Sequence, residues 1–359
     1  MPARAEAALA EAEAVPVSAA GPADFLPFVK AVGRGARLRR DLSEAEAALA
    51  IQLIVRGAAT PAQAGAFLIA QRVKGEALDE ILGFTRGARE AFVTTLAPRV
   101  DDLLDLGVPY DGKVKTAQLV PAVMVLLAAC GVPVIVHGAQ NVPTKTGITP
   151  GAVFGALVVP AALPPERAER MLEQVGLAYV DAAQYAPRWH ALTPLRRELG
   201  LRTALNTVEK LFNPTGAPYQ LSGFFHGEYL ERLRSAQTGT RASWIVQGEE
   251  GSVEMAAGRA TRVFGEQESG DRVLDPVAVG LPQRERLTPP FDVAAHARLN
   301  AEAIAGQPGP ASDQAAFSAG VILALLGAAA DVAEGLARAR QAAATGAARA
   351  RLELARGFR

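Results

Sequence analysis

LIVRGAATPAQAGAFLIAQRVKGEALDEILGFTRGARE, residues 53–90, carries the helical pattern that decides the first part of the fold. A helix runs into it from upstream. Asp41, Ser43, Glu44 and Glu46 supply a cap and early acids, which suit the positive end of a helix. Ala47, Leu49, Ile51, Ile54 and Val55 then keep nearly helical spacing, and Arg56-Gly57 ends the run. Thr60-Pro61 starts a second helix with proline at its first position. Its stripe is Ala66, Phe67, Ile69, Ala70 and Val73, and Gly75 stops it. A third helix runs from Leu78 to Val93. Pro98 and Asp101-Asp102 mark a boundary, so the spacing predicts a helical domain over residues 24–98.

Upstream, residues 1–23 are Ala-rich and interrupted by Glu6, Glu11 and Glu13. They read as a disordered or loosely helical tail, not a targeting signal. Downstream, over residues 99–359, short apolar runs such as Pro133–His137 and Ser243–Gln247 alternate with helical stretches, which predicts an α/β domain. Leu119–Val136 carries no charge, but Pro121, Gly131 and Pro133 break it. A buried helix over 119–130 and a buried strand are expected there rather than a membrane span, in a soluble cytoplasmic protein. A helix is expected near Glu228–Arg234, and extended or loop structure over 265–292. Residues 311–342 read as one long helix, followed by a basic C-terminal helix.

The chain has 359 residues, with 37 basic and 37 acidic side chains. That balance excludes capture of nucleic acid or membrane by bulk charge, but not by a local patch. The single Cys130, in MVLLAACGV, excludes a disulfide scaffold and reads as a buried, inert thiol. The histidines at 137, 190, 226 and 296 lack zinc-ligand spacing.

The helical stretch quoted above resembles the N-terminal domain of anthranilate phosphoribosyltransferases. Later phrases continue the likeness in order: GVPVIVHG (131–138), LRRELGLRTALN (195–206), FNP (212–214), WIVQGEEGSVEM (244–255) and NAEAIAGQPGPASDQAAFSAGVILAL (300–325). The resemblance implies an α/β architecture. A small helical domain would pair into a homodimer, and a larger domain would carry a central sheet flanked by helices, with a hinge cleft between the two. It also implies transfer of a phosphoribosyl group from phosphoribosyl pyrophosphate to an amine, with magnesium, in tryptophan biosynthesis. Such chemistry needs an anion cradle for the leaving diphosphate and a fixed position for the amine.

The same resemblance indicates site residues. The family's Gly-rich phosphate loop corresponds to GVPYDGKVKTAQLVPA (107–122), where only Gly112 remains inside the loop. Lys113 and Lys115 could supply positive charge there, with Thr116 and Gln118 as polar counterparts; a solvated basic turn is the alternative. His137, Gly138, Lys145 and Gly147 match the family's next phosphate segment, and Arg196 falls on its acceptor-carboxylate arginine. Guanidinium suits that role because it is a planar two-pronged donor. Glu209-Lys210 replaces a small Gly-Pro pair beside the acceptor. The magnesium pair becomes Val253-Glu254, leaving Glu254 as the metal candidate, while Glu249 and Glu250 read as an exposed turn or a substitute.

A second class of function stays open. The substrate motifs differ from the family's, and basic charge gathers locally. Residues 28–40 carry five basic groups and no acid; residues 335–359 carry six arginines and one glutamate. Lys113, Lys115, Lys145 and Lys210 could line the same groove. A non-catalytic nucleic-acid-binding homologue would use such a surface, although Arg on an Ala-rich helix also simply solvates it. A regulatory dimer holding a small carboxylate is a third option.

Overall fold

The computed structural model describes residues 20–225, 230, 233–237, 239–266 and 270–359. Most of the expected N-terminal tail and part of the helix expected near Glu228–Arg234 lie outside the described residues. The chain forms two compact units.

The first unit holds α1 (Pro22–Gly33), α2 (Glu44–Arg56), α3 (Pro61–Lys74) and α4 (Leu78–Phe92). Ser43 and Thr60 cap α2 and α3 as their sequences require, each accepting from a backbone N–H three residues on while Glu46 and Gln63 reach back. Phe25, Phe67 and Phe84 meet in edge-on pairs at the core. The unit ends at Thr94 and also takes in Ala186–Phe212, which a linear division at residue 98 does not assign to it. The short helix Pro187–His190, with buried Trp189, packs on α2 and α4, and Thr193–Leu199 packs on α3.

Close approach of α2 and α4 depends on glycine. A Cβ on Gly87 would lie 2.5 Å from the Ala48 carbonyl oxygen. Gly87→Ala should therefore destabilise the unit by about 1–3 kcal/mol, because backbone cannot yield as a side chain can. The gain in helix propensity, about 1 kcal/mol, opposes this only partly. A thermal melt at or above the wild-type midpoint would contradict it.

The second unit is built on a seven-stranded sheet in the order β3-β2-β1-β4-β5-β6-β7. The strands are β1 (Leu104–Gly107), β2 (Val134–Gly138), β3 (Leu177–Asp181), β4 (Tyr219–Gly223), β5 (Ala242–Val246), β6 (Thr261–Gly265) and β7 (Arg272–Leu274). The first five are parallel; β6 and β7 add antiparallel. The strands β1, β2 and β3 are buried throughout, which is why β2 reads as an apolar run rather than an alternating one, while buried Asp105 interrupts β1. Helices α5 (Val120–Ala129), α6 (Pro150–Ala156), α7 (Pro165–Val175), α8 (Val293–Ile304), α9 (Pro310–Leu325), α10 (Val332–Ala344) and α11 (Ala347–Gly357) accompany the sheet.

The single long helix expected over 311–342 is two. Gly327 adopts φ 69°, and Asp331 opens α10 by accepting from the Glu334 N–H. The two halves fold back on one another with Gly320 and Gly335 in close backbone approach. No described helix is long and apolar enough to cross a membrane.

Candidate anion site at the switch of the sheet

In a parallel α/β sheet, ligands bind beyond the carboxyl ends of the strands, where the strand order reverses. Here β1 is the first strand in the sequence, with β2 and β4 as its neighbours. The segments leaving β1, β2 and β5 converge. Lys113 and Ile148 form an antiparallel bridge, with the Lys113 N–H donating to the Ile148 carbonyl at 3.0 Å and the return bond at 2.8 Å. Gly112 and Gly147 make this approach possible. A Cβ on Gly147 would sit 2.5 Å from the Lys113 carbonyl oxygen, and one on Gly112 would sit 2.5 Å from the Gly147 carbonyl carbon. The tight space around Gly147 gives it a packing role.

The turn of the first segment points its amides at one carboxylate. Glu250 accepts from the N–H groups of Lys115 (2.8 Å), Thr116 (2.8 Å) and Val114 (3.2 Å). It also accepts from the Thr116 hydroxyl (3.0 Å) and the Lys145 ammonium (3.0 Å). Successive amides aimed at one point form an anion-binding concavity. Burial on its own would raise the Glu250 carboxyl, but the Lys115 amide and the Lys145 charge outweigh it and hold it at about 2. The side chain keeps 11% exposure. The exposed-turn reading of Glu249-Glu250 is therefore corrected: Glu249 is buried between Arg259 and Arg286, and Glu250 fills the concavity. A cavity of about 180 Å³ opens beside Thr116, lined among others by Glu249, Arg259, Arg284 and Arg286.

Other residues singled out from sequence fall elsewhere. Lys113 offers no surface charge; it is fully buried and its ammonium donates to Glu254 at 2.8 Å and to the Ala117 carbonyl at 3.0 Å. The same Glu254 oxygen takes the N–H groups of Leu119 and Val120, so it caps α5. Lys115 is exposed and contributes its amide. Gln118 donates its side-chain amide to the Ile148 carbonyl and its backbone N–H to the His296 ring. Burial and Lys113 hold that ring below the usual histidine range.

His137 is fully buried in a polar chain, bonded to Tyr110 at 2.6 Å and to Asp105 at 3.2 Å. Tyr110 also meets Tyr185, and Gln220 donates to the same Asp105 oxygen. Gly138 packs its backbone against the Tyr179 ring. Asp105 and Tyr110 were not singled out from sequence as site residues, because only the folded chain brings them to His137. Cys130 is half-buried rather than buried.

In the helical unit, Arg196 is buried and engaged. Glu209 accepts both of its prongs, at 2.6 and 3.0 Å, and lies 3.4 Å from the Trp189 indole N–H. The carboxylate that this fork was expected to take from a ligand is supplied by the chain. Its neighbour Arg197 is exposed.

At the magnesium candidate Glu254, Oε1 accepts from Lys113 and two amides while Oε2 is buried without a hydrogen-bond partner; position 253 is valine, and Glu249 lies between arginines. No group of three or more His, Cys, Asp or Glu among the described residues could ligate a metal ion.

The basic C-terminal region has structural partners. Arg351 and Arg356 donate to the carbonyls of Val175 and Leu157 at the ends of α7 and α6. Arg338 donates to Ala328 beyond α9, and Arg340 pairs with Asp313. Cations at helix C-termini satisfy orphan carbonyls and the helix dipole.

Sequence comparison agrees with this architecture. The glycosyl transferase family's helical bundle domain matches residues 27–92, and its a/b domain matches residues 113–349. The anthranilate phosphoribosyltransferase of Methylobacterium sp. (strain 4-46) is 38% identical over 335 residues, covering 91% of this chain and 96% of that protein. The enzyme of that name from Moorella thermoacetica is 34% identical over 319 residues, covering 87% of this chain and 93% of that protein. The crystal structure of the Thermus thermophilus anthranilate phosphoribosyltransferase superposes with a TM-score of 0.80 at 30% identity, covering 89% of this chain and 96% of that one. The Saccharomyces cerevisiae enzyme in complex with PRPP and Mg shares the fold, with a TM-score of 0.79 at 17% identity, covering 92% of this chain and 96% of that one. With both domains matched in order and relatives aligned along nearly its whole length, this chain belongs to the anthranilate phosphoribosyltransferase family of glycosyl transferases.

Proposed function

We propose that this protein transfers a phosphoribosyl group from phosphoribosyl pyrophosphate to the amine of anthranilate or a related aromatic amine, in tryptophan biosynthesis. The observation that carries this reading is the anion concavity of residues 114–116 with Lys145, set beyond the carboxyl end of β1. Fixed amides and an ammonium are what a leaving diphosphate requires, and they need no rearrangement as its charge develops. Lys115, Thr116 and Lys145 are its phosphoryl contacts in this reading. Lys113 and Glu254 support the loop from beneath. The chain's own Glu209 neutralises Arg196, so recognition of an acceptor carboxylate through this fork requires Glu209 to leave it. The helical unit is the proposed dimer contact.

The test is consumption of anthranilate with phosphoribosyl pyrophosphate in magnesium-containing buffer. Lys145→Met removes a charge-assisted contact of about 1.5–3 kcal/mol and should lower kcat/KM for the diphosphate donor roughly tenfold or more. Absence of turnover with anthranilate and its ring-substituted analogues, together with absence of donor binding, would sink the proposal.

A further inference from the structure

The concavity that would hold a phosphoryl group already holds an anion belonging to the chain. Glu250 meets five donors: three backbone amides, one hydroxyl and one ammonium. Glu250 reaches the concavity from the segment after β5, from a backbone at φ 52°, next to Gly251 at φ 80°. The left-handed region is unfavourable for a side chain with a Cβ. The donors around the carboxylate offset that cost, and its low proton affinity keeps it charged at neutral pH. Val114 and Lys115 are exposed, and the Lys145 and Glu250 side chains keep 18% and 11% exposure, so the concavity lies at the surface of the unit.

We infer that Glu250 is a tethered competitor for the phosphoryl site, and that it sets which anions this protein admits. A ligand must displace the carboxylate from the amides and from Lys145. A lone carboxylate ligand gains nothing over Glu250. A diphosphate brings more charge and more acceptor oxygens to the same donors, so it is the class of ligand that wins. The inference rests on reading residues 114–116 and Lys145 as a phosphoryl site, and the test separates the two.

The probe is inorganic pyrophosphate, titrated calorimetrically into the full-length protein and into Glu250→Gln and Glu250→Asp. Gln keeps the shape and loses the charge; Asp keeps the charge and shortens the reach. Glu250→Gln should bind pyrophosphate roughly tenfold or more tightly than wild type, with Glu250→Asp between them. Without ligand, Glu250→Gln should melt at a lower temperature than wild type, and pyrophosphate should raise its midpoint more than it raises the wild type's. Equal affinities in all three proteins would overturn the competitor role while leaving the phosphoryl site intact. Binding by none of them would overturn both. Should Glu250→Gln fail to fold, tighter binding by Glu250→Asp than by wild type still supports the inference, and equal binding overturns it.

Discussion

Glu209→Ala is expected to destabilise the helical unit by about 3–5 kcal/mol, the cost of leaving a buried charge without its partner. The Arg196 side chain is only 5% exposed and that of Glu209 not at all, so bulk solvent makes up little of the lost charge interaction. Arginine has no neutral form to fall back on, which separates this pair from one in which the survivor is a lysine. The Trp189 indole N–H would lose the same acceptor. Denaturant unfolding of wild type and variant, with equal slopes, gives the difference directly. A small carboxylate added to the variant should restore part of it, because ligand binding to the native state adds stability by mass action. Formate and anthranilate make an informative pair: rescue by both shows an accessible fork, and rescue by formate alone shows an enclosed one. A variant within about 1 kcal/mol of wild type would mean that the buried fork is not a stabilising pair.

The helical domain was legible because its signals are local. Ser43 and Thr60 cap helices that follow at once, and each apolar stripe lies close behind its cap. Two of the parallel strands, β2 and β5, were legible as short apolar runs for the same reason. The candidate concavity was legible only through its loop and Lys145. Lys145 and Thr116 do meet, but through Glu250, which sits more than a hundred residues away in sequence from both. Spacing along a chain holds no record of such a pairing, so GEEG reads as a turn. The same limit applies to the arginines of the C-terminal helices. Their density suggests a surface for polyanions, yet Arg351 and Arg356 point at carbonyl ends of helices that precede them by more than 170 residues. The break at Gly327 was missed for a different reason: Ala and Leu around it keep helical propensity high across it.

Lys113→Met tests the clearest disagreement between the sequence reading and the structure. As a phosphate contact, Lys113 would contribute to binding and little to stability. The structure gives it the opposite balance: its side chain and that of Glu254 are both 0% exposed, and one Glu254 oxygen joins the ammonium to the first amides of α5. Methionine preserves the apolar stem but leaves a buried carboxylate facing two amides, so a loss of about 3–5 kcal/mol is expected. Glu254→Gln should cost a comparable amount by stranding the lysine. Because the two changes remove a single interaction, the double variant should be less destabilised than their sum by about 1–3 kcal/mol. At a temperature where Lys113→Met stays folded, its affinity for pyrophosphate should match wild type within a factor of about two, since no charge has left the concavity. Unchanged stability with lost affinity would return Lys113 to the ligand and remove it from the frame. The expected split makes the lysine a strut: it fixes the turn whose backbone amides and Thr116 hydroxyl receive the anion.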